Sequence, residues 1–413
     1  MDSVPQSPSR YQPIAPSRKI LCAFALTASA LLVLSGAASP SPARGIRSPE
    51  LRQGRQQLQR AELSQKGREL IFSVRTARPV ALAKLEARPD TRHAASRYLC
   101  LGLDRAGRDG ERRLCLGGRK AHRRIGLVTV SATEKPVAKE SLSAEVKRSD
   151  PDKLVVALDP AAAGLKPHRY AWRVIASDGC APEHRCARSL PARGTYTFRL
   201  RPVRAVGCTG GSPGLVYNGP RDRKVVALTF DDGPSEYTPE FLRVLREKGV
   251  HGTFFEIGQE MPGREDVMRQ VLAEGDELGD HTMNHVEFPG YDQIAGAAAR
   301  IEAYTHFKPC LFRPPGGGVD AGVVATAGSL GMRTINWDVD PQDWSLPGAG
   351  AIYSNVVSHA QNGSIVLMHD GGGPRSETLA ALPQVIDTLR ARGFGFATVS
   401  GLLGERIIYR PYG

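Results

Sequence analysis

Residues 224–234 read KVVALTFDDGP: an apolar strand-forming run that stops on two adjacent carboxylates, Asp231 and Asp232, and a Gly-Pro turn. The next residues, PEFLRVLREKG at 239–249, place apolar side chains at helical spacing and end on glycine, as a helix after the strand does. The same alternation recurs downstream. GTFFEIG (252–258) precedes EDVMRQVLAEG (265–275), and further strand-like runs follow at LFRP (311–314), TINWDV (334–339), SIVLMH (364–369) and FGFATVS (394–400). With ELGD (277–280) these make seven runs, and their separation by helical stretches predicts a (β/α) unit repeated around a barrel or along a parallel sheet. In such folds chemistry gathers at the C-terminal ends of the strands.

The unusual residues of this half lie at those ends. Adjacent residues on a strand point to opposite faces, so Asp231 and Asp232 can divide two tasks, one ligating an ion and the other accepting a proton. ELGDHTMNH (277–285) sets His281 and His285 four apart, a spacing that lets two imidazoles meet one ion. With Asp232 they form a two-His, one-carboxylate set that leaves room for water. LFRPPGGG (311–318) fixes Arg313 ahead of two prolines and exposes the backbone amides of Gly316, Gly317 and Gly318. TINWDVDPQDW (334–344) carries Asp338, Asp340, Asp343 and Trp344, and SIVLMHDGGG (364–373) carries Leu367 and His369. Taken singly, each cluster has an ordinary reading as a tight turn, a surface pair or a packed histidine. Five of them at successive strand ends form a pattern.

Together these motifs resemble the polysaccharide deacetylases with a NodB-homology domain, carbohydrate esterase family four. The resemblance rests on TFDDGP (229–234), HTMNH (281–285), RPPGG (313–317), DVDPQDW (338–344) and LMH (367–369), and it covers residues 224 to about 403. It implies a distorted (β/α) barrel of about seven strands and removal of N-acetyl groups from a GlcNAc-type polysaccharide, peptidoglycan or chitin-like, by cleavage of a non-peptide amide bond. It also implies one divalent ion, Zn foremost with Co, Ni or Mn as substitutes, on Asp232, His281 and His285. Asp231 is then the general base held by Arg313, and His369 the general acid oriented by Asp343. Trp344 and Leu367 line the acetyl pocket. By the chemistry of an exposed backbone amide, and not by the resemblance, the Gly316 N–H can add an oxyanion contact if well aimed. Gly316 departs from the pattern, since many members carry an aromatic residue there. An acetyl-xylan O-deacetylase has the same motifs, and a non-catalytic polyanion-binding protein is the alternative from another class.

The rest of the chain differs in character. Residues 207–413 hold 17 Lys+Arg against 25 Asp+Glu, whereas residues 1–206 hold 38 against 17, within a net charge of +13 over 413 residues. A basic front half joined to an acidic enzyme points to anionic cell wall as its partner. Arg18 and Lys19 precede the apolar run ILCAFALTASALLVL (20–34) and the small residues SGAASPSPA. This predicts a signal peptide over 1–38 and a secreted or wall-associated protein, with membrane contact only through an uncleaved signal segment. Export argues against nucleic acid as a partner. A flexible linker is expected over 39–66, an accessory β-rich, sandwich-like domain over 67–206 with Tyr170 and Trp172 as core anchors, and the catalytic domain over 207–413. Removing the signal leaves Cys100, Cys115, Cys180, Cys186, Cys208 and Cys310. Proximity favours Cys100–Cys115, Cys180–Cys186 and Cys208–Cys310 among the 15 pairings that six cysteines allow.

Overall fold

The computed structural model describes residues 58–80, 84–85, 97–105, 111–117, 124–130, 136–142, 145–178, 188–210 and 212–412. The signal segment, Cys180 and Cys186 lie outside these residues.

The N-terminal part consists mostly of antiparallel sheets. Leu58–Lys66, Glu69–Thr76, Lys153–Leu158 and Glu145–Asp150 form a four-stranded sheet in that order. The second sheet runs Arg188–Leu190, His168–Asp178, Arg97–Asp104, Glu111–Gly117, Arg124–Val130 and Pro136–Leu142, with Tyr196–Leu200 also paired to His168–Asp178. Alternation builds the core between them. Leu70, Phe72 and Val74 of the first sheet pack with Leu101, Leu103, Leu114, Trp172 and Val174 of the second. Tyr170 and Trp172 are both buried, and the Tyr170 hydroxyl donates to the Lys166 carbonyl at 2.8 Å. Cys100 stands directly opposite Cys115 across neighbouring strands, and the two are disulfide-bonded.

One expectation differs here. The stretch 58–66, read as linker, is a full strand paired with Glu69–Thr76. Its sequence LQRAELSQK buries only Ala61 and Leu63, too few apolar residues to show against the polar ones around them. Val80 and Leu85 join the core without belonging to a strand.

The C-terminal part is a parallel barrel whose first and last strands are linked by isolated bridges, Asn218 to Ser364 and Val339 to Val366. Seven strands run Leu215–Val216, Arg333–Ile335, Leu311–Phe312, Glu277–Asp280, Thr253–Glu256, Val225–Gly233 and Ile365–His369, and Gly395–Phe396 pairs with the start of Val225–Gly233. The helix Thr238–Lys248 has proline in its first turn and stops at Gly249, whose φ of 60° allows the left-handed cap. Helices Glu265–Glu274, Tyr291–Thr305, Ala321–Ser329, Ala349–His359 and Ser376–Ala391 follow. Phe230, Phe241 and Phe254 interlock at centroid distances of 5.2 and 4.9 Å in the main core. The Cys208–Cys310 disulfide ties the segment entering the barrel to the start of strand Leu311–Phe312.

The barrel's N-terminal end holds a buried acid. Glu277 opens its strand with no exposed surface and accepts from the Ser400 amide at 3.1 Å. Burial pushes its carboxyl up from the ordinary 4.5 to about 7, although Ser400 and Thr398 hydrogen bonds oppose the rise. The folded chain therefore holds this proton more tightly than the unfolded chain. The resulting stabilisation is complete below about 4.5 and is lost as pH rises to about 7, roughly 3 kcal/mol for one such group. Glu277→Gln should flatten that part of the stability curve. Urea unfolding of both proteins at pH 5 and pH 8 checks this; an equal loss of stability in both would refute the assignment.

Candidate active site

A local irregularity separates the two aspartates. Asp231 pairs with Phe255 and Gly233 with Glu256, so Asp232 is the extra residue of a bulge, at φ 70°. The bulge turns the two carboxylates to different neighbours. Asp231 accepts from Arg313 Nη1 at 2.6 Å, whereas Asp232 Oδ1 lies 3.3 Å from His281 Nε2 and 3.1 Å from His285 Nε2.

Asp232, His281 and His285 offer one ligand atom each, all within 4.8 Å of one another. His281 Nδ1 lies 2.7 Å from the Arg313 carbonyl, which accepts its proton and leaves Nε2 with a lone pair facing Asp232. Asp232 Oδ1 is buried without a hydrogen-bond partner among the described residues. A buried carboxylate oxygen facing two imidazole nitrogens fits a divalent ion, and the O, N, N donor set suits zinc. His285 reaches the site from a turn in which Thr282, His285 and Phe288 all have positive φ, at 69°, 54° and 48°. Such strain in residues with side chains collects at functional sites.

Arg313 has no exposed surface, an unusual place for a guanidinium. Its partners explain it. Besides Asp231, Nη1 donates to Thr229 Oγ1 at 2.8 Å and Nε to the Ile335 carbonyl at 3.2 Å, and the Phe255 ring lies 4.1 Å from its carbon centre. Burial lowers its pKa, and the Asp231 carboxylate counters that pull.

On the adjoining strand, His369 Nδ1 donates to Asp343 Oδ1 at 2.7 Å while the His369 amide donates to Oδ2 at 2.9 Å. Burial disfavours the imidazolium. The hydrogen bond and charge of Asp343, with Asp231 and Asp232 beyond, outweigh it and hold His369 above its ordinary pKa. Of the three aspartates in DVDPQD only Asp343 reaches the site. Asp338 binds Arg221 at 2.7 Å and the Ile365 amide at 2.8 Å, and Asp340 caps the Gln342 amide in its own turn at 2.7 Å. Trp344, next to Asp343, is 56% exposed, whereas Leu367 is buried two residues before His369.

Several contributors escaped the sequence reading. The Thr378 hydroxyl donates to Asp343 Oδ2 at 2.8 Å, completing that carboxylate's shell from a helix with no motif. Glu287 lies against Gly316: a Cβ built on Gly316 would stand 2.8 Å from Glu287 Oε1. The carboxylate thus occupies the space an aromatic residue at 316 would need, and Phe288 beside it is 58% exposed. Glu256 and Asp370 flank Gly233, whose Cβ would meet their oxygens at 2.7 and 2.8 Å. Burial first, then nearby carboxylates, drive both their pKa values up, so near neutrality this pair carries less than its full charge. Two signals were available: a glutamate inside the apolar run TFFEIG, and an aspartate directly after His369.

The arrangement brings together three side chains that could hold an ion, a carboxylate fixed by a buried arginine, and a histidine held by a buried aspartate. A family model described as polysaccharide deacetylase matches residues 218–335. A peptidoglycan-N-acetylglucosamine deacetylase of Bacillus cereus is 41% identical over 197 residues, covering 46% of this chain and 92% of the relative. A chitooligosaccharide deacetylase of Bradyrhizobium is 36% identical over 188 residues, covering 41% and 86%. The peptidoglycan-N-acetylglucosamine deacetylase PgdA of Listeria monocytogenes is 34% identical over 194 residues, covering 45% of this chain and 40% of that protein. This chain belongs to the polysaccharide deacetylase family, with an additional N-terminal region outside the match.

Proposed function

We propose that this protein is an exported, zinc-dependent N-deacetylase of N-acetylglucosamine polymers, peptidoglycan or chitin-like. The observation that carries the reading is the convergence of Asp232, His281 and His285 between the Asp231–Arg313 pair and the His369–Asp343 pair. The relatives that this chain resembles over their catalytic length act, by name, on these two substrate types. No helix among the described residues is long and apolar enough to cross a membrane. The basic N-terminal half holds the enzyme on anionic wall polymer.

Asp232, His281 and His285 would hold a dication, which when bound would supply Lewis acidity for a water and a carbonyl oxygen. Asp231, its second oxygen free of Arg313, takes the proton of the attacking water. Arg313 keeps that carboxylate aimed. Expulsion of the amine requires a proton on nitrogen, because an amide anion is a very poor leaving group. His369 gives that proton from Nε2, since Nδ1–H is committed to Asp343. Exposed Phe288 and Trp344 offer flat apolar faces for sugar rings.

The pH profile follows from the His369–Asp343 bond. Asp343 raises the His369 pKa against burial, so Asp343→Asn lowers it and the protonated acid disappears at lower pH. The alkaline limb of kcat should move to lower pH, with kcat itself reduced. Rates across pH 6–10 on an amide substrate check this, and an unmoved limb contradicts the assigned role. Acetate release from chitin oligomers, peptidoglycan and acetylated xylan, assayed side by side, tests the substrate class. The N-acetylglucosamine polymers should lead, and a faster release from xylan overturns the reading.

A further inference from the structure

Where the N-terminal sheets lead into the strand that pairs with the last strand of the chain, exposed arginines stand opposite one another. Tyr196–Leu200 pairs with His168–Asp178 so that Arg199 stands directly opposite Arg169. Val203–Cys208 pairs with Ile407–Pro411 so that Arg204 stands directly opposite Arg410. Residues directly opposite across antiparallel strands point to the same face with Cβ atoms about 4.5–5.5 Å apart, and like charges so placed repel. All four are exposed, as is Arg201 between the two pairs. None of the five pairs with a carboxylate among the described residues, although this chain pairs Arg68, Arg75, Arg221, Arg243 and Arg333 with acids elsewhere. Arg204 and Tyr412 are in contact, the guanidinium carbon 5.8 Å from the ring centre.

We propose that the Arg169–Arg199 and Arg204–Arg410 pairs are two anchor points of a binding site for a phosphodiester polymer of the cell wall. Two long arginine side chains rooted on Cβ atoms about 5 Å apart can close on one phosphate from both sides, which converts their repulsion into shared charge-assisted hydrogen bonds. Arg199 and Arg204 are five residues apart, so the pairs are separated by at most about 17 Å of chain. Repeating anions on one flexible polymer can reach both. A bilayer is a poorer fit, because the large exposed apolar residues on the Ile407–Pro411 strand and just after it are Ile408 and Tyr412 alone. Nucleic acid is a poorer fit too, because Tyr412, the one large exposed aromatic residue there, already faces Arg204. This inference rests on the reading of the basic half as a wall anchor and assigns it a place; half of the second pair comes from the catalytic part's last strand.

The test uses the full chain and a soluble poly(glycerol phosphate) as the probe, titrated at 50–400 mM NaCl. Arg169→Gln/Arg199→Gln and Arg204→Gln/Arg410→Gln should each weaken binding about tenfold, and the quadruple variant about a hundredfold with a shallower salt dependence. Arg243→Gln, which alters an arginine paired with Glu240 and Glu247, should change nothing. At low salt the quadruple variant should melt at or above the wild-type Tm, because repulsion is relieved; a purely structural role would lower it. Polymer binding by the wild type that the quadruple variant retains overturns the site while leaving the anchor. No polymer binding by the wild type overturns both. Equal binding to duplex DNA or to phosphatidylglycerol vesicles at matched charge overturns the polymer assignment.

Discussion

Asp231→Asn should lose on the order of 10² to 10⁴ in deacetylation rate while keeping its metal. The amide oxygen still accepts from Arg313 Nη1, and Asp232, His281 and His285 are untouched, so the ligand set survives. What disappears is a base able to take the water's proton. The substitution also leaves Arg313 buried without its counter-charge. Breaking a buried pair costs about 3–5 kcal/mol when the partner is deleted outright, and the retained hydrogen bond should keep the cost below that range. Rate, bound metal and Tm measured on one preparation separate these effects. A variant that arrives without metal contradicts the division of labour between the adjacent aspartates.

His369→Ala should slow amide cleavage by a comparable 10² to 10⁴ yet leave cleavage of an activated phenyl acetate nearly intact, because a phenolate leaves without a proton. His369 touches none of the three ligands at hydrogen-bonding distance, and its strand is held by pairing to Val225–Gly233, so the ion and the fold remain. Parallel rates on the two substrates decide the matter. Equal slowing of both assigns His369 to structure rather than to the leaving group.

The barrel could be read in advance because parallel strands are buried on both faces and announce themselves as apolar runs, as VVALTF and IVLMH do. Their ends were equally readable, since Asp231, Asp232, Arg313 and His369 interrupt apolar sequence abruptly and His281 and His285 stand four apart directly after a short strand. Contacts that depend on three-dimensional closure were not. Thr378 sits in an ordinary helix and meets Asp343 only once that helix docks. Glu287 is one acidic residue in a polar turn until Gly316 is seen to make room for it. The strand Leu58–Lys66 was invisible for a different reason: an edge strand with one half-wet face needs few apolar residues, and two do not make a pattern. Charge counting located the basic half of the chain. Only strand register showed that Arg169 faces Arg199 and Arg204 faces Arg410.

The central claim is that Asp232, His281 and His285 hold an ion on which deacetylation of an N-acetylglucosamine polymer depends. Acetate release from chitin oligomers, measured on one preparation before chelation, after chelation and after return of zinc, with metal content determined at each stage, tests it most directly. The account predicts about one ion per chain, loss of activity with loss of that ion, and recovery on zinc addition. Full acetate release from a metal-free sample, or an ion that stays bound in a His281→Ala/His285→Ala variant, would contradict it.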